Sequence, residues 1–124
     1  MEPLIIDKTG DTPNIILDPA NNKFEISERS LPENANGFYA PVFKWLTEYL
    51  ENPDDKIDFI FNLEYFNTAS AKQIAKVLLF LEKLSKKSEV RIIWRFKKED
   101  TDMQASGNRY AKLLNVPFLL EECE

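Results

Sequence analysis

Two segments constrain the fold of this chain more than any others. Lys56 to Tyr65 (KIDFIFNLEY) and Glu89 to Lys97 (EVRIIWRFK) each alternate apolar and polar side chains. A period of two marks a strand with one buried face and one wet face. In the first, Ile57, Phe59, Phe61, Leu63 and Tyr65 share a side, opposed by Asp58, Asn62 and Glu64. In the second, Val90, Ile92, Trp94 and Phe96 oppose Arg91, Ile93 and Arg95. Central strands of a doubly wound sheet are buried on both faces and run continuously apolar. These two do not. Helices therefore belong on one side of the sheet, and the other face is open to solvent or to a partner.

The remaining elements fit around that sheet. Leu4-Ile5-Ile6, Asn14 to Asp18 and Lys23 to Ser27 read as short strands separated by Gly10-Asp11-Thr12-Pro13 and Pro19-Ala20-Asn21-Asn22 turns. Phe38, Val42, Trp45, Leu46, Tyr49 and Leu50 recur at helical spacing, with Pro41 either in the first turn or kinking a helix that begins near Asn34. A second helix carries Ala71, Ile74, Ala75, Leu78, Leu81 and Leu84 and ends in Lys86-Lys87, which suits its dipole. A third, capped by the acidic run Glu99 to Asp102, carries Met103, Tyr110, Leu113 and Leu114, and Val116 to Leu120 reads as an edge strand. The order is β-β-β-α-β-α-β-α-β: a two-layer mixed α/β sheet, expected to be one domain over residues 1–124. Val77, Leu79 and Phe80 lie beyond the apolar stripe of the second helix. A wide core face accounts for them, and a homodimer or partner contact is the alternative.

Composition removes several classes of function. With 44% apolar and 12% aromatic residues in 124, the chain has the makings of a core and is not disordered. A net charge of −5 argues against a nucleic-acid partner, which needs a basic face. No apolar run approaches the roughly 18 residues that span a bilayer, and no signal-like start is visible, so a cytoplasmic protein without a membrane partner is expected. There is no histidine and a single cysteine, Cys123. The commonest general base and every Ser/His or Cys/His nucleophile pair are thus missing. Three glycines, Gly10, Gly37 and Gly107, form neither a P-loop nor a GxGxxG turn. Asp54-Asp55, Glu99-Asp100-Asp102 and Glu121-Glu122-Glu124 fall at loops or ends, without the tight glycine turn of a calcium loop. No cofactor, metal or catalytic residue is expected. A small carboxylate-dependent enzyme is the competing class, and would need Asp58, Glu64 and Arg91 gathered in one pocket.

What remains is the junction Tyr65-Phe66-Asn67-Thr68-Ala69-Ser70-Ala71-Lys72, where the alternating strand ends and the second helix begins. Asn67 or Thr68 can cap the free N–H groups of the first turn, an interaction worth about 1 kcal/mol. The same N–H groups and the positive dipole end would also tolerate a phosphate on Thr68, with Lys72 one turn on as a cation to pair with it. Ser70 is the competing hydroxyl, less free to project from the corner.

The opening Met1-Glu2-Pro3-Leu4, then Thr12-Pro13, Ile16-Leu17-Asp18-Pro19, Phe24-Glu25-Ile26-Ser27 and Arg29-Ser30-Leu31-Pro32-Glu33 run in an order that resembles the SiaC family of bacterial regulatory phosphoproteins. Phe38-Tyr39, Pro41, Trp45-Leu46 and Tyr49 fit its first helix, and Asn115-Val116-Pro117-Phe118 its end. Leu63 to Ser70 (LEYFNTAS) carries the most specific part of the likeness. The resemblance implies a fold like the STAS domain of anti-sigma-factor antagonists, which are switched by phosphorylation of a hydroxyl at the start of the helix after a central strand. It implies Thr68 as the phosphoacceptor, with Asn67, Ser70 and Lys72 around it. It further implies a partner protein kinase, a Ser/Thr phosphatase, and a diguanylate cyclase that the unphosphorylated form binds and activates, governing cyclic-di-GMP and biofilm behaviour. Ordinary antagonists carry Asp-Ser-Ser/Thr-Gly at this corner, where this chain has Asn67-Thr68-Ala69-Ser70. Partner switching with an anti-sigma kinase is therefore the alternative.

Overall fold

The structure, a computed structural model, describes residues 1–123; Glu124, counted above among the terminal carboxylates, lies outside the described residues. Its strands are β1 (Leu4–Ile6), β2 (Asn14–Asp18), β3 (Lys23–Ser30), β4 (Lys56–Phe66), β5 (Glu89–Lys97) and β6 (Phe118–Cys123). Helices α1 (Ala35–Tyr49), α2 (Thr68–Leu84) and α3 (Thr101–Leu113) connect the last four, and a single 3-10 turn, Pro19–Asn21, joins β2 to β3. All six strands form one sheet in chain order. The first three pair antiparallel, and β3 to β6 pair parallel.

This topology explains the one-sided pattern. Each parallel step needs a crossover, and crossovers of one hand that step in one direction lay all their helices on the same face. Register puts two complete apolar rows on that face. One runs Leu4, Leu17, Phe24, Phe59, Ile92, Phe118; the next runs Ile6, Ile15, Ile26, Phe61, Trp94, Leu120. Against them pack Tyr39, Val42 and Leu46 of α1, the Ile74, Val77, Leu78, Leu81 and Leu84 stripe of α2, and Met103 of α3.

The helix starts follow the expected chemistry. Asn34 accepts the N–H of Gly37 at 3.1 Å, and Asp100 accepts that of Met103 at 3.0 Å. Pro41 lies inside α1. It has no N–H to offer the carbonyl of Gly37, and since both residues are exposed, water can take that carbonyl.

Four side chains depart from the pattern read in the sequence. Tyr65 is 54% exposed and not core-facing. Between Leu63 and Tyr65 the register with β3 slips by one residue, and such a bulge inverts every later side chain of the strand. Phe66 takes the inward place and meets the Trp94 ring edge-on at 6.3 Å. Leu113 is 79% exposed at the end of α3. Leu79 is exposed, whereas Val77 is buried and Phe80 half-buried against the core. Finally, β6 continues to Cys123, so Glu121 is a strand residue, bonded to Arg95 at 2.8 Å. No helix of the described residues is long and apolar enough to cross a membrane.

Trp94 ties the second layer to the sheet. It is fully buried, stacks on Phe61 and Phe118, tilts against Tyr110, and donates its indole N–H to Met103 O at 3.0 Å. The approach of α3 is possible because residue 107 is glycine: a Cβ there would meet Trp94 Cδ1 at 2.5 Å. Gly107→Ala gains about 1 kcal/mol of helix propensity, but overpacking against a held ring costs about 1–3 kcal/mol. The ring is bonded and stacked and has nowhere to move. Urea denaturation is expected to show a lower midpoint for Gly107→Ala; an unchanged or raised midpoint would mean that α3 shifts freely.

Candidate functional site

The corner between β4 and α2 is built from three elements. Asn67, in extended conformation, is the N-cap of α2, and its side chain accepts the N–H of Ser70 at 2.9 Å. Its own N–H donates to Ser30 O at 3.2 Å, which fastens the turn to the end of β3. The helical ladder begins with Ala71 N–H on Asn67 O at 2.9 Å. The amides of Thr68 and Ala69 stay outside that ladder, as first-turn amides do.

Thr68 and Ser70 have opposite surroundings. Thr68 is the first residue of α2 and is exposed, as is Lys72 one turn later. Ser70 is 0% exposed. Its hydroxyl accepts from Ser30 Oγ at 2.8 Å, and Ser30 Oγ lies 2.7 Å from the Tyr39 hydroxyl. Ser30 has one proton and gives it to Ser70, so Tyr39 must be the donor in the second bond. Burial pushes the Tyr39 phenol up to about 12, partly offset by its bond with Ser30. A neutral chain Tyr39–Ser30–Ser70 thus locks α1, β3 and α2 together beneath the exposed threonine. Gln73 Nε2 adds a second tie between the helices, donating to Asn36 Oδ1 at 2.6 Å.

Asn67, Thr68, Ser70 and Lys72 are therefore neighbours, but they are not alike. Asn67 and Ser70 are structural partners of the turn, and Thr68 and Lys72 face solvent. Ser30 and Tyr39 entered the sequence analysis only through the family resemblance, and neither they nor Asn36 and Gln73 were assigned a role at this corner. Two signals were present: Ser30 has the inward parity of Phe24 and Ile26 in β3, and Tyr39 lies on the buried face of α1 with Val42 and Leu46.

The groups of the competing enzyme reading are not brought together. Asp58 and Arg91 form a two-point ion pair at 3.2 and 3.0 Å in the open, and the carboxylate holds the guanidinium pKa above its ordinary value. They border a shallow depression with Lys56 and Glu89. Glu64 lies in another cavity, of about 210 Å³, beside Glu28, Asn62 and Lys97. Among the described residues no three acidic or cysteine side chains are placed to hold a metal ion.

The chain is thus a one-sided mixed α/β sheet with an exposed threonine at a capped strand-to-helix corner. The family model of the SiaC family regulatory phosphoproteins matches residues 6–123, and the chain belongs to that family. A protein of Pseudomonas aeruginosa (strain UCBPP-PA14), described as uncharacterized, is 23% identical over 122 residues, covering 98% of this chain and 97% of its own. The fold matches that of SiaC of Pseudomonas aeruginosa, with a TM-score of 0.87 at 22% identity over 99% of this chain and 100% of that one. It also matches a structure described as diguanylate cyclase SiaD in complex with its activator SiaC from Pseudomonas aeruginosa, with a TM-score of 0.89 at 22% identity over 97% and 99% of the two chains.

The buried relay makes a prediction about alkaline pH. Tyr39 holds its proton more tightly in the folded protein, with a pKa of about 12, than an ordinary phenol does at 10.0. Its contribution is complete below pH 10 and is lost as pH rises toward 12. Tyr39→Phe should cost about 1 kcal/mol at pH 8, because Ser30 loses its donor. The deficit should close between pH 10 and 12, where the wild-type protein alone pays to ionise the phenol. Denaturant midpoints across that range check this; a constant deficit would mean that the phenol is not shielded.

Proposed function

We propose that this chain is a regulatory protein without catalytic activity of its own, one domain that binds and activates a diguanylate cyclase and is switched by phosphorylation of Thr68. A protein kinase adds the phosphate, a Ser/Thr phosphatase removes it, and the unphosphorylated form engages the cyclase. Membership of a family of regulatory phosphoproteins supports the class. The cyclase partner is supported by the relative whose structure is described as SiaC activating SiaD.

The observation that carries the choice of residue is the contrast at the corner: Thr68 exposed, Ser70 wholly buried and bonded. A kinase can reach the first hydroxyl and cannot reach the second without opening the turn. A phosphate on Thr68 would bring nearly two negative charges to the amides of Thr68 and Ala69 and the positive end of α2, a placement worth about 0.3–1 kcal/mol in the folded state's favour. Lys72 lies on the same helical face, one turn on. The fold therefore bears the charge, and the effect falls on the surface. Any partner seated over Thr68 meets a dianion where it met a hydroxyl, and loses affinity through desolvation and repulsion.

Incubation with the cognate kinase and ATP should place one phosphate on Thr68, and Thr68→Ala should take up none while keeping its stability within about 0.5 kcal/mol. In a cyclic-di-GMP synthesis assay with the cognate cyclase, unmodified protein and Thr68→Ala should both activate, and the phosphorylated protein should not. Undiminished labelling of Thr68→Ala, or activation by the phosphorylated form alone, would overturn the reading. Binding to an anti-sigma kinase in place of a cyclase would establish the alternative.

A further inference from the structure

The face of the sheet that the helices leave uncovered has a row of its own. Register places Ile5, Ile16, Glu25, Ile60, Ile93 and Leu119 side by side, one from each strand, across the whole sheet. Five of the six are branched aliphatic residues. Ile5 is 52% and Leu119 44% exposed, Ile16 and Ile60 are partly exposed between them, and Ile93, between Arg91 and Arg95 on its strand, is only 7% exposed. Five interstrand steps of about 4.8 Å make a stripe about 24 Å long. An apolar stripe of that length on an uncovered sheet face is a mark of an interaction surface.

The charges beside the stripe select the partner. On one side runs a row of alternating sign, with Asp18 paired to Lys23 and Asp58 paired to Arg91. Suppose a second copy of the chain is laid on this face about a two-fold axis that runs along the strands, between β3 and β4. That operation carries β3 onto β4, β2 onto β5 and β1 onto β6. Ile16 then meets Ile93 and Ile5 meets Leu119. In the charged row Asp18 meets Arg91 and Lys23 meets Asp58, every pair of opposite sign and every pair occurring twice. The strands of the two copies stay aligned, which is one of the two ways in which sheets pack face to face.

We propose that the open sheet face is a self-association surface on which a second copy of this chain docks in this two-fold arrangement. The contact is isologous, so it closes at a dimer and cannot propagate. Glu25 is its one polar intruder in the stripe: it sits beside the axis and faces Ile60 of the copy, which keeps the association weak. Thr68 stands at the end of the sheet, off the stripe, so the dimer leaves the corner accessible. The inference is independent of the phosphorylation reading, since it uses no residue of the corner.

Sedimentation equilibrium over a concentration series should show reversible dimers that weaken with added salt. Leu119→Lys and Ile16→Lys should each lower the association constant about tenfold or more, with the circular dichroism spectrum unchanged, and Glu25→Leu should raise it. In a Cys123→Ser background, an Ile16→Cys protein mixed with an Ile93→Cys protein should form a disulfide-linked pair under mild oxidation, and neither should do so alone. A monomer at every concentration would overturn the proposal. So would dimers indifferent to Leu119→Lys and Ile16→Lys, or cross-links between two copies of the same single-cysteine protein. A monomer that binds a different protein through this face would assign the surface to that partner instead.

Discussion

The constraint on which the rest of the structure depends is that β3 to β6 add to the sheet in chain order, each by a parallel step. A sheet that grows in one direction through crossovers of one hand keeps its helices on one side. The core is then a single layer between sheet and helices, filled by the two apolar rows and by the stripes of α1, α2 and α3. The second face carries the ion pairs Asp58–Arg91 and Arg95–Glu121 on either side of its aliphatic stripe. The parallel steps also bring the ends of β3 and β4 and the starts of α1 and α2 to one edge of the sheet. Ser30, Tyr39, Asn67 and Ser70 converge there because topology leaves them no other place.

That convergence separates rigidity from reactivity at the corner. The buried hydroxyl of Ser70 and the amide of Asn67 consume the local hydrogen-bonding capacity in holding the turn. Thr68, between them in sequence, contributes to neither bond and is left outside. A modification that acts on a surface needs such a residue: held by a stiff backbone, with a side chain on which the fold does not rely. The contrast with Ser70 is one of energy. Charging a wholly buried hydroxyl breaks a satisfied network and buries a dianion, whereas charging an exposed one at a helix start is mildly favourable.

Much of this was legible in the sequence, for physical reasons that differ by element. The period-two pattern of Lys56 to Leu63 and of Glu89 to Lys97 reports burial directly, so the one-sided sheet and the element order could be read from it. Tyr65 could not, because a bulge is set by how two strands pair and leaves no trace in the alternation of one of them. Leu113 reads as core by periodicity alone, yet its helix ends there and leaves it in solvent. At the corner, helix-start chemistry leaves the cap open between Asn67 and Thr68, and only the folded turn assigns it to Asn67 and frees the Thr68 hydroxyl. The Tyr39–Ser30–Ser70 relay joins residues 9 and 40 apart in sequence and exists only once the layers have packed. The cross-strand stripe on the open face is of the same kind. Its members are single residues on six strands, visible as a set only in register.

The proposed phosphorylation of Thr68 should change a surface and spare the core. The most direct test is a comparison of backbone amide NMR spectra and hydrogen-exchange protection for the unmodified and phosphorylated proteins. Shifts should be confined to the corner, around residues 65–72, with the protection of β4, β5 and the body of α2 retained and the Trp94 indole resonance unmoved. Loss of protection along α2, or displacement of the Trp94 resonance, would contradict it, because the phosphate would then be acting through the fold.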